Sequence, residues 1–417
     1  MRGLAIPGWE PSALLDIAQA LGTHVRANHN PLSLRRLDLA SGVAGVALFF
    51  AHLSRFRDPG GEFSTLSLQC LDKIARDLPD AKVIAPGMFD GVAGIAWATE
   101  HISRVLAVED HPSADSYDDV YDFIFEYLLS RGEFEYDLIS GLVGIGMWGL
   151  TLSDEPWREK ITRRVLELLQ SAAVHVDTGI TWGTPPSRFR RHGTVNASGL
   201  PEFNLGLAHG VPGVIGFLSS CVDQDLYPAV SGELLSGALS WLSCQTLTTQ
   251  SDPTFPFVAG AARPARLAWC YGDAGIALIL HQAAGVIRTE NIEELAARVC
   301  RRVAERRMPE AHVIDASVCH GSAGLAHICG LLASTSTQMA RARDYWIETL
   351  LNSAQSHGGE IGFPYWNAFA RRYEKNIGLL MGLSGVGLTL LSLTKTDLGW
   401  DYPFLLQWGG RGRGGHV

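Results

Sequence analysis

Cysteine is sparse and odd in number, seven in 417 residues. That argues against a disulfide framework and fits a reducing, cytoplasmic setting. No long basic run interrupts a chain whose formal net charge is −9, so nucleic acid is not the expected partner. The N-terminal segment Met1–Glu10 meets a proline and an acid before any apolar core builds, so no secretory signal is expected. Long apolar runs are missing too, apart from 377–394, which is uncharged and approaches the length of a membrane span. Glycines interrupt it, and shorter glycine-led runs elsewhere resemble it. It therefore reads as a buried helix, and no transmembrane segment is expected. With 47% apolar residues, no window has the composition of a disordered chain.

What the chain has in abundance is glycine, 45 residues, and much of it is ordered. Gly-x-x-Gly followed directly by Val, Ile or Leu opens an apolar run at seven places, with first glycines at Gly42, Gly91, Gly141, Gly210, Gly272, Gly321 and Gly382. Repetition at roughly fifty to seventy residues marks a repeat architecture. Each motif opens an apolar run, as in Gly42-Val-Ala-Gly-Val-Ala-Leu-Phe-Phe-Ala, which must be packed on all sides if helical. The segments between motifs are amphipathic. In 292–307 the positions Ile292, Leu295, Ala296, Val299 and Val303 keep helical spacing, with charges opposite. Seven inner and seven outer helices follow, and closing them into a ring leaves no raw apolar end. The expected fold is all-α, an α/α toroid forming one domain over 1–417, with repeats at about 38–394. The Pro- and Gly-rich stretch 174–204 reads as an irregular excursion over the ring mouth, 356–376 reads similarly, and 409–417 reads as a flexible tail.

The repeats differ just before the first glycine. Ser41, Asp90 and Ser140 stand there in repeats one to three and read as helix N-caps. Repeats four to six carry His209, Tyr271 and His320 instead, and Cys270 and Cys319 precede the last two. Equivalent corners of neighbouring repeats should bring Cys270 and Cys319 together. Two thiolates and the imidazole of His320 are a zinc-type donor set, and three protein ligands leave the open position of a catalytic zinc. Cys70, Cys221, Cys244, Cys300 and Cys329 read as structural. His327, two turns into its helix, reads as a core histidine. His209 reads either as an acid–base group or as a plain cap, and Arg266 as a catalytic cation or a helix-end ion-pair partner. Tyr271, with Trp269, reads as pocket wall.

Asn204-Leu-Gly-Leu-Ala-His-Gly-Val-Pro-Gly213, Arg266-Leu-Ala-Trp-Cys-Tyr-Gly272 and Ser317-Val-Cys-His-Gly321 resemble the lanthionine synthetase C family, the lanthipeptide cyclases. The likeness runs over all seven blocks and includes the Trp-Gly-x-Pro-Pro segment before repeat four. It implies an α/α toroid with zinc held by Cys270, Cys319 and His320. It also implies an acid–base histidine at His209, an aspartate at Asp137 and an arginine at Arg266. Asp38 stands at the same offset in repeat one as Asp137 in repeat three, so the aspartate follows from block order. The implied activity is thiol addition to dehydroalanine or dehydrobutyrine in a dehydrated precursor peptide carrying a leader, giving lanthionine or methyllanthionine rings. Only 37 residues precede the first block, which predicts that a separate protein performs the dehydration. A transporter is a further expected partner, with association to the membrane through such a complex. Other readings are a non-catalytic relative that binds glutathione or a protein through zinc, and a prenyltransferase-like zinc toroid. The second is disfavoured by the Cys-Cys-His set.

Overall fold

The computed structural model describes residues 9–406, except 59–60, 82–84, 109–117, 131, 133, 185–201, 248–251, 358–359, 368–369 and 396–397. The expected tail at 409–417 and most of the excursion at 174–204 lie outside the described residues. Fourteen α-helices and six three-residue strands are described. No helix among the described residues is long and apolar enough to cross a membrane. The chain falls into two units, residues 1–124 with 313–403, and residues 125–312 with 404–417.

The first unit holds α1 (Pro11–His29), α2 (Val43–Arg57), α3 (Glu62–Asp77) and α4 (Val92–Leu106). α5 (Asp118–Leu129) spans the boundary between the units. In chain order the second unit carries α6 (Leu142–Gly149), α7 (Glu155–Ser171), α8 (Val211–Asp223), α9 (Pro228–Ser243), α10 (Asp273–Ile287) and α11 (Glu290–Glu305). The first unit then resumes with α12 (Ser322–Leu331), α13 (Thr337–Asn352) and α14 (Leu383–Thr394).

The helices opened by the glycine motif are α2, α4, α6, α8, α10, α12 and α14. Every residue from Val43 to Ser54 of α2 is buried, as expected for a helix apolar on all sides. The intervening helices are half-exposed. In α11 the buried set includes Ile292, Ala296, Val299 and Val303. The seventh inner helix, α14, finds its outer partner at the other end of the sequence: α1, ahead of the first motif, packs on it. The outer helix expected after the last motif is therefore supplied by the N-terminal segment.

The motif glycine is itself the N-cap of each inner helix, and no side chain caps it. This corrects the reading of Ser41, Asp90 and Ser140 as caps; they sit one residue too early. Glycine is required there by close approach. A Cβ on Gly141, Gly210, Gly272 or Gly382 would collide with the carbonyl oxygen six residues earlier. Gly272 also has φ +89°, a conformation L side chains rarely adopt.

Both long gaps contain short hairpins where irregular chain was expected. β1 (Val174–Val176) pairs with β2 (Gly179–Thr181) in the second unit. In the first unit, β3 (Gln355–His357) pairs with β4 (Glu360–Gly362), and β5 (Tyr365–Asn367) with β6 (Arg372–Glu374). Thr184 and Glu202 exchange backbone hydrogen bonds of 2.8 and 3.1 Å, so the two ends of the first excursion are held together.

Candidate active site

Backbone hydrogen bonds join the turns that precede neighbouring inner helices. In the second unit Leu138 N–H donates to Ala208 O (3.1 Å) and Ala208 N–H to Cys270 O (3.3 Å). In the first unit the same stitching runs Cys319 to Leu380 (3.1 Å), Leu380 to Ala40 (2.9 Å) and Ala40 to Phe89 (2.8 Å). Most of these residues lie two before their motif glycine, so the residues flanking them are gathered repeat by repeat.

In the second unit this gathering brings Asp137 and His209 together. His209 Nδ1 lies 2.6 Å from Asp137 Oδ2, and the ring donates its N–H to the carboxylate. The other carboxylate oxygen accepts Ser140 N–H at 2.8 Å, which fixes the plane of the group. The His209 side chain is 23% exposed, so the ring is not sealed from solvent. Burial alone would lower the His209 pKa. The hydrogen bond and charge of Asp137, helped by Cys270 and Glu135, outweigh it and hold the pKa above its usual value. Asp38 at the equivalent offset does something different: its Oδ1 accepts Ser41 N–H at 2.9 Å and its Oδ2 pairs with Arg36 at 2.6 Å.

Tyr271 is half-buried, with its ring 6.5 Å from that of His209 and 5.2 Å from that of Phe257. Asn204 Nδ2 donates to the Tyr271 hydroxyl at 3.0 Å and fixes its direction. Phe257 is exposed and continues the aromatic wall. Arg266 is half-buried, and its side chain has no hydrogen bond or ion pair among the described residues. Trp269 points into the core, fully buried, donating Nε1–H to Phe404 O at 2.9 Å. Beneath this corner, Asp273 in the first turn of α10 accepts Thr254 Oγ1 (2.7 Å), Phe255 N (2.8 Å) and Arg306 Nη1 (2.9 Å). Arg306 also donates to Ala265 O at 2.9 Å, tying α11 and the 254–265 loop to the turn that carries Cys270.

In the first unit Cys319 is half-buried and His320 follows it on the turn before α12. Asp315 Oδ2 lies 3.2 Å from His320 Nε2. Burial would raise the Asp315 pKa, but His320 and the N–H and hydroxyl of Ser317 bring it below the usual carboxylate value. His327 sits apart from this turn's polar groups, with its Nε2 2.8 Å from Asp401 Oδ2 and its ring over Trp400, a core histidine as expected. None of the seven cysteines forms a disulfide. Burial pushes the Cys70 thiol up to about 12 and Cys300 to about 11, while Cys244 is exposed.

Asn204, Phe257 and Asp315 had no role in the sequence reading. Asn204 and Asp315 share an offset, six residues before the motif glycine, as do Arg266 and Asn376. That column was legible in the sequence once the repeats were aligned. Phe257 had no such signal, since it lies on a loop outside the repeat.

The model of the family described as "Lanthionine synthetase C-like protein" matches residues 33–405. Over 413 residues the chain is 22% identical to the nisin biosynthesis protein NisC of Lactococcus lactis subsp. lactis, covering 92% of this chain and 90% of that protein. The solved structure titled nisin cyclase superposes with a TM-score of 0.71 at 19% identity, covering 95% of this chain and 97% of that one. The likeness shows the fold, the α/α toroid expected from the repeats.

Proposed function

The chain belongs to the lanthionine synthetase C-like family, and from that premise we propose that it is a zinc-dependent peptide cyclase. Its substrate would be a ribosomal precursor peptide, with a leader, whose serines and threonines arrive dehydrated by a separate protein. The reaction joins each cysteine sulfur to the β-carbon of dehydroalanine or dehydrobutyrine and leaves a thioether. The observation that carries this reading is the His209–Asp137 pair, 2.6 Å apart at the corner where the family keeps its acid–base histidine.

Cys270, Cys319 and His320 are the residues to which the family resemblance assigns a metal, and two soft thiolates with an imidazole suit zinc. When bound, zinc would supply a Lewis acid that favours the thiolate form of the substrate cysteine. Asp137 accepts the Nδ1–H of His209, and Nε2 would be the nitrogen turned to the substrate. His209 accepts the thiol proton there and holds it. As the sulfur adds to the β-carbon, the electron pair moves toward the amide carbonyl and an enolate forms. His209 returns the proton to the α-carbon, so no proton is consumed overall. Arg266, free of an ion pair among the described residues, is the cation to face the enolate oxygen. Tyr271, oriented by Asn204, and Phe257 would pack against the peptide.

The test is turnover of a dehydrated precursor by purified protein, with free thiols alkylated and adducts counted by mass. Loss of free thiols faster than in the enzyme-free control is expected. Stoichiometric zinc with no acceleration would favour instead a non-catalytic relative that binds glutathione or a protein.

A further inference from the structure

We propose that Asp315 is a positioning residue for His320: its carboxylate takes the ring's Nε2–H and so fixes the tautomer whose lone pair is on Nδ1, ready for a metal. The inference rests on the reading of His320 as a zinc ligand.

The repeats supply the comparison that isolates this role. Six residues before the motif glycine, three turns are closed in the same way. Asn204 Oδ1 accepts Gly206 N–H (2.8 Å), Asn376 Oδ1 accepts Gly378 N–H (2.8 Å), and Asp315 Oδ1 accepts Ser317 N–H (3.0 Å). A neutral asparagine therefore suffices for the turn. The carboxylate at 315 offers what an amide does not, a second acceptor oxygen. That oxygen, Oδ2, lies 3.2 Å from His320 Nε2 and also accepts Trp366 N–H at 3.1 Å.

The Asp315 side chain is fully buried, and Ser317 Oγ adds a further donor to Oδ1 at 2.8 Å. Held by donors on both oxygens, the carboxylate has one orientation to offer the imidazole. A neutral imidazole has one N–H, and the carboxylate, which can only accept, draws it to Nε2. Carboxylate partners of this kind raise the basicity of a ligating histidine, and their loss typically weakens metal binding by about 10–100-fold. In Asp315→Asn, Oδ1 can keep the turn as at 204 and 376. The amide NH2 then meets His320 Nε2 and favours the opposite tautomer, with the proton on Nδ1.

The test is metal affinity by chelator competition on the full chain, for wild type, D315N, H320A and the double variant. Cadmium is used beside zinc because two thiolates bind it firmly without the imidazole. D315N should keep its helical spectrum and bind metal about 10–100-fold more weakly. In the H320A background the same change should add no further loss. Undiminished affinity in D315N, or an equal loss in both backgrounds, overturns the positioning role. Absence of metal from wild type would sink the zinc reading itself, a distinguishable result. A readout that needs no folded Asp315 variant is the ring. In wild-type apo-protein labelled with 15N-histidine, long-range correlations should show His320, assigned by its disappearance in H320A, as the Nε2–H tautomer. The Nδ1–H tautomer overturns the proposal.

Discussion

Replacing His209 by alanine separates proton transfer from metal binding. The ring is not among the zinc-type donors, so H209A should keep zinc at the wild-type stoichiometry. What it loses is the group that takes and returns the proton, a contribution of about 10²–10⁴-fold, or about 2.7–5.4 kcal/mol of barrier. The fold should survive. The side chain is partly exposed, and its charge-assisted hydrogen bond to Asp137 contributes about 1.5–3 kcal/mol. Asp137 keeps its bond from Ser140 N–H, and the open face of the site admits water to the carboxylate left behind. The assay feeds equal amounts of wild type and H209A a dehydrated precursor, quenches at early times, alkylates remaining thiols and counts adducts by mass. H209A should leave most thiols free when wild type has consumed them, and rings that do form should show lost regiochemical control. If H209A leaves as few free thiols as wild type at the same early time, His209 is a structural residue and the mechanism has no proton carrier.

Asp137→Asn removes the charge that holds the His209 pKa above 6.5. The limb of the pH–rate profile set by His209 should therefore move to lower pH, while an unmoved limb would detach the pair from catalysis. The same linkage has a sign for stability: what the charged pair contributes is complete below pH 6.5 and is lost as pH rises through the raised value, so D137N should be most destabilised on the acid side. Cys270→Ala and Cys319→Ala should each lose zinc with little change in helicity, and Cys329→Ala, altered deep in α12, should keep it; full metal in C319A would refute the ligand set. Arg306→Met should cost about 3–5 kcal/mol by stranding Asp273, since both side chains are essentially inaccessible to water. Adding Asp273→Asn should restore part of the melting temperature, and no restoration would show that Arg306 acts by packing alone.

The repeat was legible because its cause is local. A glycine is needed wherever the turn's carbonyl, six residues earlier, crowds the helix start, so Gly-x-x-Gly recurs wherever an inner helix begins. All-round apolarity against one-sided apolarity then separates inner helices from outer ones. The chemistry was legible for the same reason. His209, Tyr271, His320, Cys270 and Cys319 stand out only against their equivalents in other repeats. Which of two like residues meets a partner could not be read that way. Asp38 and Asp137 share an offset, yet one pairs with Arg36 and the other with His209; the same stitching joins the turn of Asp137 to that of His209 and the turn of Asp38 to that of Asp90, a carboxylate in place of an imidazole. The inward turn of Trp269, the packing of α1 on α14 and the reach of Asp315 to His320 are of this second kind. Periodicity fixes what each residue is attached to along the chain; which side chains face one another is set by hydrogen bonds and packing between segments distant in sequence, and those exist only in the folded molecule.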